Sequence, residues 1–205
     1  IRDRFKQAAQ ANPEVSALRR AETERLIQSG IAEQSFHQGD RAPDFTLPDA
    51  EGRAINLGSL LQKGPVVLTF YRGEWCPFCN FTLRAYQAAL PQMTALGATL
   101  VAVSPQLPDF SRAMITKADL TFPVLSDVGN QVARHYRLVI TVPEHLRPYG
   151  ISLPEFNGDD SWELPMTGTF VIGQDGIIHL AHVHADYTQR LEPTAILAAL
   201  RDLHR

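Results

Sequence analysis

Both cysteines of the chain lie in one short segment, Cys76-Pro77-Phe78-Cys79, and this segment constrains the fold around it. It follows the apolar run 65–70, which has the length and composition of a buried strand. Helical spacing then begins after Cys79, in residues Thr82, Leu83, Tyr86 and Leu90. We therefore predict the two thiols at a strand-to-helix junction, with Pro77 as an early residue of the helix.

This position favours thiol chemistry. The unpaired N–H groups and the positive dipole at a helix N-terminus can lower a cysteine pKa from about 8.5 to about 3.5–7.5. Two inert core cysteines are the structural alternative, but their place at a helix start behind Trp75 argues against it. One cysteine pair supplies too few soft ligands for a metal. We expect redox chemistry that uses the thiols alone, without a metal or a cofactor.

The composition limits the other functions. A chain of 205 residues, 44% of them hydrophobic, can bury one sizeable core. The net charge of −3 gives no reason to expect binding to nucleic acid or to an anionic membrane surface, and no apolar run is long enough to span a bilayer. Two cysteines do not make a disulfide scaffold. We expect a cytoplasmic protein, an expectation that a signal peptide ahead of Ile1 would overturn.

The N-terminal part reads as a helical extension. Asn12 and Pro13 form a helix start, and Gly30 is a plausible stop. An apolar stripe is formed by Val15, Leu18, Ala21 and Leu26. We predict an extension over 1–37 that packs on the domain 38–205 or forms a contact in a homodimer.

Strand and helix patterns alternate through the rest of the chain. Segment 138–165 is rich in Pro, Gly and Asp, and a stretch of this length usually carries a contact surface or a function. The pattern predicts an α/β domain with a central mixed sheet flanked by helices. The predicted elements are a hairpin around 49–52, strands at 99–103 and 122–125, helices at 108–118 and 130–136, a hairpin at 169–183, and a helix at 192–203.

The order of these motifs resembles the peroxiredoxin group, the alkyl hydroperoxide reductase and thiol-specific antioxidant family. The resemblance covers roughly residues 38–203 and rests on the opening segment 39–47, the first hairpin 49–57, the segment 66–79 with both cysteines, and the late hairpin 169–176. It implies a thioredoxin-like fold. It also implies an enzyme that reduces hydrogen peroxide or alkyl hydroperoxides through Cys76 and Cys79, with electrons returned by thioredoxin or a similar thiol.

The resemblance allows two assignments of the attacking and resolving roles to Cys76 and Cys79. The family pattern Thr-x-x-Cys makes Cys79 the attacking cysteine and places Cys76 on the threonine. The thioredoxin pattern Trp-Cys-x-x-Cys, read from Trp75, makes Cys76 the nucleophile. The peroxiredoxin register runs through more of the chain, so we expect attack by Cys79 and resolution by Cys76 through a Cys76–Cys79 disulfide.

The chain departs from the family pattern near the late hairpin. The family has an arginine at the position of Thr167, and thioredoxin-like proteins have a cis-proline at the position of Gly168. We expect Arg72 to take the place of the missing arginine, since a nearby cation favours a thiolate. Glu74 either accepts a proton or is a solvated loop charge, and its negative charge would raise the pKa of a neighbouring thiol. Trp75 is expected to pack beside the disulfide and to limit solvent access.

Three histidines follow the late hairpin turn. On a strand, His182 and His184 share a face and His179 points away, so we expect no three-histidine metal site. Two further functions remain open. One is a thiol–disulfide oxidoreductase acting on protein disulfides, and the other is a redox-sensing protein whose disulfide switches the surface formed by 138–165.

Overall fold

The computed structural model describes residues 12–203. The helices are α1 (Pro13–Gln28), α2 (Leu57–Leu61), α3 (Pro77–Ala95), α4 (Pro108–Ala118), α5 (Gln131–His135), α6 (Leu153–Asn157) and α7 (Pro193–Asp202), with 3₁₀ turns at Ala32–Gln34 and Glu144–Tyr149. The strands are β1 (Thr46–Pro48), β2 (Ala54–Asn56), β3 (Val66–Phe70), β4 (Thr99–Ser104), β5 (Val124–Ser126), β6 (Val139–Thr141), β7 (Glu163–Pro165), β8 (Thr167–Ile172) and β9 (Ile178–His184).

A five-stranded sheet in the order β5-β4-β3-β8-β9 forms the centre of the domain. Strand β3 runs parallel to β4 and antiparallel to β8, and β8 pairs with β9 as an antiparallel hairpin. The predicted mixed sheet is therefore confirmed. All five residues of β3 are buried, as expected for the central strand.

The side chains of β3 alternate between two hydrophobic clusters, one on each face of the sheet. Leu68 and Phe70 belong to the cluster that also contains Leu26 of α1. Val67 belongs to the other cluster, together with side chains of α3 and α7 and both cysteines. Strand β3, which leads into the cysteine segment 76–79, is therefore packed against a hydrophobic cluster on each face of the sheet.

Helix α1 packs against the domain. The Asn12 side chain accepts a hydrogen bond from the Val15 N–H at 3.3 Å, as expected for an N-cap. Val15 and Leu26 are buried, but Leu18 between them is 37% exposed, so the predicted apolar stripe is buried only at its two ends. The Arg19 guanidinium donates to the carbonyl of Tyr149 at 2.5 Å, which ties α1 to the 138–165 segment. The boundary at residue 37 and a dimer contact stay predictions.

The 138–165 segment is more regular than its composition suggests. Strands β6 and β7 pair antiparallel, and they enclose the 3₁₀ turn Glu144–Tyr149 and α6. The Arg147 guanidinium lies over the ring of Trp162, 5.2 Å from the ring centroid. Within residues 12–203, no helix is both long and apolar enough to cross a membrane.

Candidate active site

The two cysteines lie where the sequence places them, at the junction between β3 and α3. Cys76 is the N-cap residue of α3 with extended backbone angles (φ −86°, ψ 112°), Pro77 is the first helical residue, and Cys79 lies in the first turn. Both are free thiols and both are buried. The predicted strand-to-helix junction is confirmed.

The loop before Cys76 is held by buried hydrogen bonds. The Glu74 N–H donates to Gln106 Oε1 at 2.8 Å, and Gln106 Nε2 donates to the Tyr71 hydroxyl at 3.0 Å. Gln106 is fully buried. From α3, Asn80 Nδ2 donates to the carbonyls of Glu74 and Cys76 at 2.7 and 2.8 Å. These bonds fix the position of the Cys76 backbone relative to the sheet.

Cys79 Sγ receives two N–H donors from outside its helix. The Arg72 backbone N–H lies 3.4 Å from the sulfur, and Arg190 Nη2 lies 3.6 Å from it. Arg190 comes from the loop after β9, 111 residues further along the chain. An arginine side chain therefore contacts the Cys79 sulfur, but it belongs to Arg190 and not to Arg72, the residue expected from the sequence.

The sequence assigned this role to Arg72, and the structure places the Arg72 side chain elsewhere. Its guanidinium lies over the rings of Trp75 and Tyr187, 5.0 and 4.5 Å from their centroids. It is the Arg72 backbone that contacts Cys79. The positive charge of Arg72 still acts on Cys76, where it lowers the thiol pKa.

The reduced pair carries its negative charge on Cys76. Hydrogen bonding from the Cys79 thiol lowers the pKa of Cys76 to about 5 against the cost of burial, with help from the Arg72 charge and the Cys79 backbone N–H. Burial raises the pKa of Cys79, and its role as donor to Cys76 raises it further. Arg190 and the Arg72 N–H oppose this rise. The pKa shifts thus favour the thiolate on Cys76, although the family register points to Cys79 as the nucleophile.

The two cysteines open onto different spaces. Cys79 lines a small cavity of about 10 Å³, called the inner cavity below, between the end of β3, strands β8 and β9 and the loop at Arg190. Cys76 lines a groove of about 500 Å³, called the outer groove, between α1, the cysteine loop and segment 138–165. Thr167, which holds the position of the family arginine, lines both spaces.

The remaining predicted residues surround the outer groove or brace the loop. Trp75 and Pro77 line the groove. The Glu74 carboxylate pairs with Lys117 Nζ of α4 at 2.9 Å, and it is not among the main causes of either thiol pKa shift. Of the two alternatives for Glu74, the geometry therefore favours a charge in a structural pair.

The histidines divide between the two spaces. His182 lines the inner cavity, and His184 lines the outer groove. His184 Nδ1 accepts a hydrogen bond from the Asp186 N–H at 2.9 Å. His179 lies apart from them, 3.7 Å from Asp175. Among residues 12–203, no group of three or more His, Cys, Asp or Glu side chains could hold a metal ion.

The sequence did not identify two residues of the inner cavity, Arg190 and His182, as site residues. Arg190 stands in no motif, and His182 was considered only as a metal ligand. The long-range pairing of β3 with β8, followed by the β8–β9 hairpin, brings this part of the chain back toward Cys79.

Comparisons with known proteins agree with this architecture. A family model described as the AhpC/TSA family matches residues 38–181. Peroxiredoxin Q of the Sedum lineare chloroplast is 30% identical over 145 residues, which is 71% of this chain and 68% of the relative. Matches to two further plant proteins of the same name, from Populus jackii and Triticum aestivum, span 60% and 55% of their lengths.

Solved structures give the fold. The peroxidoxin BcpB from Mycobacterium tuberculosis superposes with a TM-score of 0.66 at 23% identity, over 82% of this chain and 97% of that one. A peroxiredoxin Q of Xanthomonas campestris gives a TM-score of 0.61 at 20% identity, over 77% and 90%. The predicted thioredoxin-like fold is thereby confirmed.

Proposed function

The chain belongs to the AhpC/TSA family and is a thiol-dependent peroxidase of the peroxiredoxin type, and we propose that Cys79 attacks the peroxide while Cys76 resolves the product. The observation that carries this assignment is the pair of N–H donors on Cys79 Sγ, from the Arg72 backbone and Arg190. Donors fixed at the reacting atom stabilise the charge that develops when the O–O bond breaks. The family register supports the same sulfur.

The proposed cycle begins with a proton shift. The reduced pair holds one proton in the hydrogen bond between the sulfurs, and this proton passes from Cys79 to Cys76. The Cys79 thiolate then forms a bond to the hydrogen-bearing oxygen of the hydroperoxide. The O–O bond breaks, its electron pair leaves with the second oxygen, and this oxygen takes a proton from water to give water or an alcohol. Cys79 is oxidised to a sulfenic acid.

The resolving step uses the same pair. Cys76 gives up the proton it received and attacks the sulfenic sulfur of Cys79 as the thiolate; the S–O bond breaks, and the released hydroxide takes up that proton as water. The product is a Cys76–Cys79 disulfide. An external dithiol of the thioredoxin type then reduces this disulfide by thiol–disulfide exchange and is itself oxidised. Hydrogen peroxide or small alkyl hydroperoxides are the proposed substrates.

A second function is favoured by one specific observation. Cys76 has the lowered pKa of the pair and lines the outer groove of about 500 Å³. That arrangement suits a thiol–disulfide oxidoreductase in which Cys76 attacks a disulfide of a partner. Localisation in the cytoplasm, a homodimer and a redox-sensing role stay predictions from the sequence.

Single-turnover oxidation distinguishes the two assignments. The reduced wild type, Cys76→Ser and Cys79→Ser are mixed with hydrogen peroxide in a stopped-flow instrument, and the products are identified by mass spectrometry. We expect Cys76→Ser to consume one equivalent rapidly and to stop at a sulfenic acid on Cys79. Cys79→Ser should react at the rate of an ordinary thiol.

The opposite pattern contradicts the assignment. If Cys79→Ser keeps rapid oxidation and Cys76→Ser loses it, Cys76 is the attacking sulfur. Efficient reduction of insulin disulfides by the wild type, without peroxide turnover, would favour the oxidoreductase instead.

A further inference from the structure

The outer groove leads to a cysteine that is otherwise closed off from solvent. Cys76 is 1% exposed, and it lines the groove together with residues of α1 and of segment 138–165. A reagent for its sulfur therefore enters through the groove. The groove volume of about 500 Å³ falls within the range of small-ligand sites, about 300–1,000 Å³.

The charged groups of the groove are mostly cations. Arg19, Arg72 and Arg147 line it, and Glu22 is the carboxylate among its lining residues in the described part of the chain. Glu22 is already paired, with its Oε1 2.7 Å from Arg25 Nη2. None of the three lining arginines forms an ion pair with another described residue. The groove therefore carries positive charge that an anionic ligand would balance.

The three arginines stand on different walls of the groove. Arg19 belongs to α1, Arg72 to the loop that follows β3, and Arg147 to segment 138–165. A planar guanidinium binds a carboxylate through two parallel hydrogen bonds. Cations on separate walls therefore suit a ligand that carries more than one carboxylate.

Two of these arginines are anchored without being neutralised. Arg147 stacks over Trp162, and its Nε donates to the Val142 carbonyl at 3.2 Å. Arg19 donates to the carbonyl of Tyr149 at 2.5 Å. Aromatic rings and carbonyl oxygens hold the side chains in position but carry no negative charge, so the charge of each arginine remains available to a ligand.

We propose that the outer groove binds a small thiol that carries carboxylates, of the chemical class of glutathione, and that this thiol reduces the Cys76–Cys79 disulfide through a mixed disulfide on Cys76. The inference rests on the proposed function, because that disulfide is its substrate. It adds a second reductant to the thioredoxin-type dithiol. Arg19 and Arg147 are the residues that select it.

The first step is a thiol–disulfide exchange at Cys76. The thiolate of the small thiol forms a bond to Cys76 Sγ, and the Cys76–Cys79 bond breaks. The electron pair of that bond moves to Cys79, which takes up the proton that the small thiol released. The Arg72 N–H and Arg190 Nη2, at 3.4 and 3.6 Å from Cys79 Sγ in the reduced protein, stabilise the departing sulfur.

A second molecule of the small thiol completes the reduction. Its thiolate attacks the sulfur of the first molecule in the mixed disulfide, and Cys76 leaves as the thiolate. The low pKa of Cys76 favours this departure, because thiols of low pKa leave faster. Two small thiols thereby give up two electrons and two protons to the protein pair and become one small disulfide.

The test forms the mixed disulfide in the reverse direction. In Cys79→Ser, Cys76 is the remaining thiol, and its attack on oxidised glutathione gives the adduct and one free glutathione. Oxidised glutathione, which carries carboxylates, is compared with cystamine, a cationic disulfide, and the adduct is measured by mass spectrometry. Arg19→Gln and Arg147→Gln are added to this background. Arg20→Gln, an exposed neighbour on α1 outside the groove, is the matched control.

Two corrections separate binding from intrinsic reactivity. Each rate is divided by the thiolate fraction of Cys76, taken from the ultraviolet absorbance. The same protein unfolded in urea gives the intrinsic preference of the thiol between the two reagents. Circular dichroism, and the rate with the uncharged bis(2-hydroxyethyl) disulfide, show that a variant has kept its fold and the access to Cys76.

We expect the folded protein to prefer oxidised glutathione over cystamine by about 10²-fold more than the unfolded protein does, the effect of two hydrogen-bonded charges. Arg19→Gln and Arg147→Gln should each lower this preference by about tenfold, and Arg20→Gln should leave it unchanged. In the wild type, glutathione should reduce the Cys76–Cys79 disulfide about tenfold faster than cysteamine at equal thiolate concentration.

An equal preference in the folded and the unfolded protein would overturn the inference, and so would the absence of an adduct on Cys76. The same holds if Arg19→Gln and Arg147→Gln act no more strongly than Arg20→Gln, or if cysteamine reduces the wild type as fast as glutathione. Failure of the proposed function looks different: rapid oxidation of Cys79→Ser by hydrogen peroxide would refute attack by Cys79 and would leave the charge selectivity of the groove as measured.

Discussion

The reduced cysteine pair is expected to lose its first proton near pH 5. The Cys79 thiol donates to Cys76 and stabilises its thiolate, and this bond is the main cause of the lowered Cys76 pKa. An ordinary cysteine, with a pKa of about 8.5, is only about 3% ionised at pH 7. A pair with its first pKa near 5 is almost fully ionised there, a thiolate fraction about thirty-fold larger.

Removing the donor tests this reasoning. Cys79→Ala takes away a hydrogen bond to a charged group, which contributes about 1.5–3 kcal/mol. Since one pKa unit corresponds to about 1.36 kcal/mol, the Cys76 midpoint should rise by about 1–2 pH units. Cys79→Ser keeps a hydroxyl donor at the same place and is the matched control, with a smaller rise.

The assay is a pH titration of the thiolate ultraviolet absorbance in the reduced proteins. The stability of the fold provides a second measurement. Because the folded pKa of Cys76 lies below the unfolded value, the native state binds fewer protons between about pH 5 and 8.5. This contribution to stability is fully present above about pH 8.5 and is lost as the pH falls through about 5. A wild-type midpoint near 8.5, or equal midpoints for wild type and Cys79→Ala, would refute the assignment of the charge to Cys76.

Two further predictions concern the cation beside Cys76 and the N-terminal helix. Arg72→Ala should raise the Cys76 midpoint by less than Cys79→Ala does, because the Arg72 charge is a smaller cause, and Arg72→Lys should restore it; an unchanged midpoint in Arg72→Ala removes this residue from the electrostatics of the site. Leu26→Ala should lower the free energy of unfolding by about 2–3 kcal/mol in urea titrations, and Ile27→Ala, 41% exposed, by less than about 0.5 kcal/mol. Equal losses would show that α1 does not pack on the core.

The elements of the domain could be predicted because their signals are local. The apolar run 66–70 and the helical spacing after Cys79 lie within single elements, so β3 and α3 appear where the pattern places them. The late hairpin follows in the same way from alternation around a turn at 174–176. The order of the elements then indicated a thioredoxin-like fold.

The site was harder to predict because its contacts join distant parts of the chain. The charge near Cys79 belongs to Arg190, whose position depends on the β8–β9 pairing and on the bond between Tyr86 and Leu191. The location of the thiolate depends on the direction of one hydrogen bond between two sulfurs, which no spacing encodes. The exposure of Leu18 depends on which residues of α1 touch the rest of the domain. The periodic spacing of apolar residues in the sequence does not show where those contacts lie.

The position of Cys76 as the N-cap of α3 has a mechanical consequence for the catalytic cycle. Residues three apart on a helix have Cβ atoms about 5–6 Å apart, and a disulfide requires about 3.5–4.5 Å. The two Cβ atoms therefore need to approach by only about 1–2 Å. The Cys76 carbonyl accepts hydrogen bonds from the Asn80 N–H at 3.1 Å and from Asn80 Nδ2 at 2.8 Å, so the bonds that this movement strains lie in the first turn of α3. The enzyme would then pass between its oxidised and reduced forms without unwinding α3.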